Sequence, residues 1–354
     1  MKKAILFKKL TNNQVQCLAC SWYCKISQGK TGVCGVRQNI AGDLYLLVYG
    51  RPTSGLALDP IEKKPLYHFL PGTESLSFGT YGCNFGCIFC LNWQYSQLPK
   101  LLKEKIKDQE KSTTELKNII KDQPFWSPEK IVNYAVVNNI PSISYTYNEP
   151  AIFFEYACET AKLAHKKGIK NIFVSNGYES KEAFELIKPY LDAANIDIKS
   201  FSEKFYRDIC KAKLKPVLET VERMVKGGIW VEITTTLITD LNTDEKELRE
   251  MAGFLKKLDP AIPWHLNTFR PDYKMIDRPT TDYTVLEKAY TIGKEMGLSY
   301  VYAYSTEVAD EKDRTFCLKC GELLIERRWC QVVIKNFKNG RCGKCKTKIE
   351  GVWK

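Results

Sequence analysis

The chain has 354 residues, 44% of them hydrophobic and 27% charged, enough for one large folded domain with small attachments. No stretch approaches the roughly 20 apolar residues that span a bilayer, and the opening MKKAILFKKL has too short an apolar run for a secretory signal, so no membrane partner and a cytoplasmic location are expected. The net charge of +12 is mostly lysine spread along the chain, without an arginine-rich patch or basic tail, the pattern of a solvated surface.

In the cytoplasm disulfides are rare, so the 14 cysteines point to metal binding or chemistry. Cys17, Cys20, Cys24 and Cys34 come first, spaced C-x2-C-x3-C-x9-C. Four thiolates suit a structural zinc or an auxiliary iron–sulfur cluster, and the spacing leaves both open. A strand-like run, LYLLVYG, and the Pro- and charge-rich DPIEKKPLYHFLPG complete an N-terminal Cys-rich module over residues 1–74.

From residue 75 to 305 strand and helix signals alternate. SLSFGTYG is a strand running into TYGCNFGCIFCLNW, which carries Cys83, Cys87 and Cys90. SPEKIVNYAVVN starts a helix with a Ser cap and Pro at the first helical position. SISYTYNEP is a strand, AIFFEYACETAKLAHKKG a helix ending in Gly, KNIFVSNG a strand and SKEAFELIKPYL a helix. AANIDIKS is a strand, followed by a mostly helical segment from Phe201 to Lys226. IWVEITTTLI, TDEKELREMAGFLKKL, PWHLNTFRP and TDYTVLEKAYTIGKEMG continue the alternation, and LSYVYAY offers one more strand. Repeated strand–helix units predict an α/β fold with a parallel sheet. About six of them suit a partial (β/α)6 TIM-like barrel, with polar residues at strand C-terminal ends, where barrel sites lie.

Residues 306–354 form a C-terminal module. Cys317, Cys320, Cys342 and Cys345 form C-x2-C…C-x2-C, a four-thiolate site of zinc-ribbon or rubredoxin type. So small a segment cannot build a good core alone, and a bound zinc, or an iron with the same ligands, would supply the missing stability.

The three-cysteine loop is unlike the other two groups. Zinc would need a fourth ligand, and residues 91–157 contain no His or Cys. A [4Fe–4S] cluster held by Cys83, Cys87 and Cys90 would leave one iron open for a ligand. C-x3-C-x-Φ-C, with Phe89 as the aromatic residue, resembles the signature of radical S-adenosylmethionine (SAM) enzymes. The resemblance implies that methionyl groups of SAM chelate the open iron. One electron would then cleave SAM to methionine and a 5′-deoxyadenosyl radical that abstracts hydrogen from a substrate. It also implies further cofactor contacts. YTYNEP stands where the family has Gly-Gly-Glu-Pro, making Glu149 the acceptor for the methionyl amino group, with Tyr147 and Asn148 in place of the glycines. Ser175 and Asn176 of VSNG would serve the methionyl carboxylate or ribose. Asp197 and Lys199 of DIK share one strand face and resemble the D-x-K of glycyl-radical-enzyme activating enzymes, serving the SAM ribose and carboxylate. His265 of PWHLNTF would stand near the adenosyl group.

DPIEKKPLYHFLPG, GTYGCNFGCIFCLNW, TYNEPAIFFEY and PWHLNTFRPDYKM together resemble the radical SAM member of the AmmeMemoRadiSam system, a branch related to pyruvate formate-lyase activating enzyme. Two departures stand out: Leu91 replaces a frequent Gln, and YVYAYSTEV lacks the Gly-Asn pair that often follows the last barrel strand. The resemblance implies an oxidoreductase reduced by a ferredoxin or flavodoxin, acting on an unidentified substrate that could be a protein or peptide. Two rivals are a metal-stabilised nucleic-acid-binding protein and an iron–sulfur electron-transfer protein. The first leaves the three-cysteine loop one ligand short, so nucleic acid is not the expected partner. The second needs no open iron.

Overall fold

The computed structural model describes residues 1–53, 55–305, 311–328 and 330–354. They form two compact units, residues 1–58 with 75–192 and residues 59–74 with 193–354.

The first unit opens with short antiparallel strands. Phe7–Lys9, Val15–Cys17 and Lys25–Ile26 make one small sheet, and Lys2–Lys3, Asp43–Leu46 and Arg37–Ile40 make another. The LYLLVYG run supplies the strand Asp43–Leu46, whose Leu44 and Leu46 are buried as period-2 alternation requires. Three parallel strands follow, β1 (Glu74–Phe78), β2 (Ser142–Tyr145) and β3 (Lys170–Ser175). Phe78, Tyr145 and Phe173 lie in one row. Their rings meet edge-on at 5.3 and 5.5 Å, and Tyr156 lies 5.2 Å from Phe78. Ser75, Ser77, Ser142 and Ser144 occupy the alternate positions, with the Ser75 and Ser144 hydroxyls 2.6 Å apart. One sheet face is thus filled with aromatic rings and the other kept small and polar. Helix α1 (Pro128–Val137) begins as its sequence requires, Ser127 Oγ accepting from Lys130 N. Helix α2 (Phe154–Lys166) stops before Gly168, which takes φ +72°. Helix α3 (Lys181–Ile187) is capped by Ser180.

The second unit carries four parallel strands in the order β4 (Ala193–Asp197), β5 (Trp230–Leu237), β6 (Trp264–Thr268) and β7 (Val301–Tyr304). Asp197, Thr234, His265 and Tyr302 lie in one row across them. The helices are α4 (Leu214–Lys226), α5 (Glu245–Leu258) and α6 (Tyr283–Glu295). The stretch expected to be helical from Phe201 to Lys226 is broken. A short turn ends at Lys211, whose φ of +56° no helix can carry, and α4 restarts at Leu214 with the Glu203 carboxylate accepting from Leu214 N and Lys215 N. The C-terminal module is built of the antiparallel strands Thr315–Phe316, Leu323–Arg328 and Gln331–Ile334 and the pair Phe337–Lys338 and Arg341–Cys342.

Residues 59–74, grouped by sequence with the N-terminal cysteines, run through this second unit. Tyr67 N and His68 N both donate to the Glu232 carboxylate, at 2.9 and 2.8 Å. Leu70 N donates to Val352 O, and Val352 N to His68 O. The charges of DPIEKKPLYHFLPG are spent internally: Lys64 is buried against Asp59, and Glu62 accepts from Gly72 N. Tyr67, Tyr300 and Tyr302 share one apolar cluster with Leu324, Ile325 and Ile349 of the C-terminal module.

Candidate active site

The three-cysteine loop follows β1. Cys83 and Cys87 are buried, Cys90 is half-buried and Phe89 is 7% exposed. Two glycines shape the approach. A Cβ on Gly79 would stand 2.3 Å from Thr146 O, and Gly82 takes φ +93° with Cys34 O 2.6 Å from where its Cβ would be. Phe85 N donates to Cys83 Sγ, and Cys90 Sγ lies 3.2 Å from Ser96 Oγ. Lys100 Nζ donates to the carbonyls of Cys83 and Phe85, fastening the loop to the following helix.

The loop is tied to the turn after β2. Asn148 Oδ1 accepts from Thr80 N at 3.1 Å, and its Nδ2 donates to Gly82 O at 2.8 Å and to Thr80 Oγ at 3.2 Å. Tyr147, in the position of a family glycine, takes φ +70°, a backbone conformation that glycine adopts freely and tyrosine rarely.

Glu149 is fully buried. Its carboxylate accepts from Ala151 N at 3.1 Å, Asn176 N at 2.7 Å and Ser175 Oγ at 3.0 Å. Burial, then repulsion from Glu179, pushes its pKa well above the ordinary carboxylate range, against the pull of those three donors. Ser175 Oγ also lies 2.8 Å from Glu179 Oε1, and Glu179 is fully buried too. Asn176 Nδ2 donates to Asn84 Oδ1 at 2.8 Å and lies 3.8 Å from Cys83 Sγ. A chain of polar contacts therefore runs from Glu149 through Ser175 and Asn176 to the first cysteine of the loop. Of the candidates the motifs offered, Glu149, Ser175 and Asn176 lie together beside Cys83; the motifs did not mark Glu179, two residues beyond a turn glycine, or the bonding role of Asn148, which stands where a glycine was expected.

The remaining candidates lie in the second unit. Asp197 and Lys199 are joined, Lys199 Nζ lying 2.8 Å from Asp197 Oδ2, both partly accessible. His265 is buried, with Nε2 2.6 Å from Glu232 Oε2. Its ring lies against Tyr67 at 4.6 Å and Tyr302 at 5.3 Å. Burial works to raise the Glu232 pKa, but the His265 hydrogen bond and the neighbouring imidazoles outweigh it and hold the carboxylate below its usual range. Glu232, which also accepts from Trp230 Nε1, is a second residue the motifs did not reveal. Leu91 is 59% exposed. Residues 306–310, the site of the missing Gly-Asn pair, lie outside the described residues.

The thiols of Cys317, Cys320, Cys342 and Cys345 all lie within 4.8 Å of one another. Cys317 and Cys345 are 3.5 Å apart, Cys320 and Cys342 3.7 Å. Zinc–sulfur bonds of about 2.3 Å set tetrahedral ligands about 3.8 Å apart, so this group has the spacing of a single-metal site.

Residues 78–255 match the family model of the radical SAM superfamily. The chain belongs to that superfamily. Over 353 residues it is 39% identical to an uncharacterized protein of Methanocaldococcus jannaschii, covering 99% of both chains. A second protein of that organism, named as a candidate glycyl-radical enzyme activating enzyme, is 23% identical over 233 residues, 65% of this chain and 79% of that one. A crystallised domain of pyruvate-formate lyase-activating enzyme from Bacteroides vulgatus covers 46% of this chain and 98% of its own, at 20% identity and TM-score 0.39. Membership of the radical SAM superfamily carries an α/β fold with a parallel sheet, a [4Fe–4S] cluster and SAM as cofactors, and radical chemistry. The geometry fits them: three thiols on one loop, and beside them the buried Asn84 Nδ2 and Asn176 Oδ1, which have no hydrogen-bond partner among the described residues.

Proposed function

We propose that the chain is an activase-like radical SAM oxidoreductase of the AmmeMemoRadiSam-system type, acting on a protein or peptide substrate. Cys83, Cys87 and Cys90 hold the cluster, which with SAM supplies one-electron cleavage to methionine and a 5′-deoxyadenosyl radical. The reading is carried by the contact chain from Glu149 through Ser175 and Asn176 to Cys83. A cationic amino group is the ligand such a carboxylate wants, since burial and Glu179 otherwise push it towards neutrality. Asn176 Oδ1 and Asn84 Nδ2 offer an acceptor and a donor to the methionyl or ribose oxygens and nitrogens. By the family resemblance, the Asp197–Lys199 pair would serve the SAM ribose and carboxylate, Phe89 would belong to the cofactor site, and His265, hydrogen-bonded to Glu232, would stand near the adenosyl group. A ferredoxin or flavodoxin is the reductant. Cys317, Cys320, Cys342 and Cys345 hold zinc, as their single-metal spacing favours, with iron the outcome that metal analysis would separate.

The test is the EPR spectrum of anaerobically prepared, dithionite-reduced protein with and without SAM, followed by assay of 5′-deoxyadenosine. A cluster signal shifted by SAM, with 5′-deoxyadenosine released, is expected. A signal that SAM leaves unmoved would overturn the reading.

A further inference from the structure

Two polar side chains that the fold buries follow closely on the three-cysteine loop. Ser96 ends the short helix Trp93–Ser96, Gln97 joins it to the helix Leu98–Lys105, and each is 2% exposed. Burying such groups is costly unless their hydrogen bonds are made. Here they are made, and the partners fix their direction. Lys100 Nζ has only protons to give, so the Gln97 atom that faces it at 3.1 Å is the oxygen Oε1. Phe85 O can only accept, so the Gln97 atom that faces it at 3.2 Å is the amide nitrogen Nε2. The same Nε2 donates to Ser96 Oγ at 3.0 Å. Ser96 Oγ therefore accepts from Gln97 and has its single proton left to give. It lies 3.2 Å from Cys90 Sγ. A thiolate bound to iron carries no proton, so in that state Ser96 is the donor and the sulfur the acceptor.

A chain of donors thus runs from the Lys100 ammonium through Gln97 and Ser96 to the sulfur of Cys90. Lys100 is half-buried and also donates to Cys83 O at 3.0 Å, so its charge stands beside the first cysteine as well. Phe85 N donates to Cys83 Sγ itself at 3.4 Å. Reduction adds one electron and no proton to a [4Fe–4S] cluster, and part of the added charge spreads onto the sulfurs. Hydrogen bonds and cations at those sulfurs hold the reduced form more strongly than the oxidised one, which raises the reduction potential. Fastening the loop does not require this arrangement, because the Lys100 bonds to the two carbonyls already supply it.

We infer that Ser96, Gln97 and Lys100 set the reduction potential of the cluster, raising it so that the electron donor can reduce it. They act through the cluster's own ligands, as positioning residues for the electron transfer that precedes SAM cleavage. The inference rests on the reading that Cys83, Cys87 and Cys90 hold the cluster.

The experiment is an EPR-monitored redox titration of the full chain, reconstituted anaerobically with iron and sulfide, beside its Ser96→Ala variant. The variant is expected to keep the parent's iron, acid-labile sulfide and SAM-shifted signal. Its equilibrium constant for reduction should fall about tenfold, the effect of losing one hydrogen bond to a charged group, which for one electron is about 59 mV. A midpoint equal to the parent's in a variant with full iron would overturn the inference, since a merely structural role changes cluster content or unfolding and leaves the potential alone. Should Ser96→Ala not assemble a cluster, Lys100→Met and Lys100→Arg decide. A midpoint lowered by Met and kept by Arg supports the inference, and equal midpoints in the two refute it. A parent chain that takes up no cluster would sink the cluster reading itself, so the parent tells the two failures apart.

Discussion

Ser175 has one hydroxyl proton to give, and two buried carboxyls, Glu149 and Glu179, reach for it. Each raises the cost of a negative charge on the other. The amino group of SAM would resolve this, so SAM binding should weaken as pH falls and Glu149 protonates. Glu179→Gln removes the repulsion that raises the Glu149 pKa, so the acid limb of SAM binding should move to lower pH, measured by titrating the SAM-dependent EPR change across pH. Glu149→Gln keeps the shape but not the charge, and should lose that EPR change at SAM concentrations that saturate the parent while the cluster remains. Asn148→Ala deletes three hydrogen bonds between the turn after β2 and the cluster loop. It should cost about 2 kcal/mol in urea unfolding of the apoprotein. Glu149, Ser175 and Asn176 were legible because they sit in short linear motifs at strand ends. Glu179 and Asn148 were not, because their roles arise when separate turns meet, which spacing along the chain does not encode.

At the scale of elements, the N-terminal sheet is anchored to α2 by one buried pair. Arg37 donates both guanidinium nitrogens to the Glu155 carboxylate and its Nε to Ile152 O, with the side chains 2% and 0% exposed. Leaving either charge buried alone costs about 3–5 kcal/mol. Arg37→Ala should lower unfolding stability by about that much, and Arg37→Lys, without the fork, should recover only part. The metal proposed for the C-terminal module would brace its strands, since Cys317 and Cys342 lie in the same apolar cluster as Leu324 and Ile325. Stripping it with a chelator, or Cys317→Ser, should release one metal per chain and expose Tyr67 and Tyr302, read as a change in tyrosine near-UV circular dichroism. The strand–helix alternation, the cap at Ser127 and the four-cysteine ribbon were all legible, because each rests on local pattern. The break at Lys211 was not, since a left-handed residue inside an otherwise helical run leaves no mark when it is lysine.

For the whole molecule, acid should act through His68. Its Nδ1 lies 2.7 Å from Glu350 O and its Nε2 2.6 Å from Tyr302 O–H, so a neutral ring donates at one nitrogen and accepts at the other. Burial lowers its pKa from 6.5 to about 4, outweighing the Glu232 charge. Below pH 6.5 the unfolded chain takes up a proton that the folded chain refuses. The stability held by the neutral ring is therefore complete above about pH 6.5 and drains away as pH falls towards 4, by about 3 kcal/mol in all. Unfolding measured from pH 7 to 4 should show this slope, and His68→Asn should flatten it. The sequence marked His68 only as one letter of a family motif. Its partners come from residues 232, 302 and 350, brought together by the fold alone.

Residues 59–74 also impose an order of events on synthesis. They leave the ribosome before β2 and β3 exist, yet their backbone partners include Glu232 and Val352. The bonds from Leu70 N and to His68 O must wait for residue 352, and the unit the segment belongs to cannot close before that residue has been made. Neither unit can be made as one continuous fragment, and nascent chains stalled before residue 352 should remain protease-sensitive at residues 59–74.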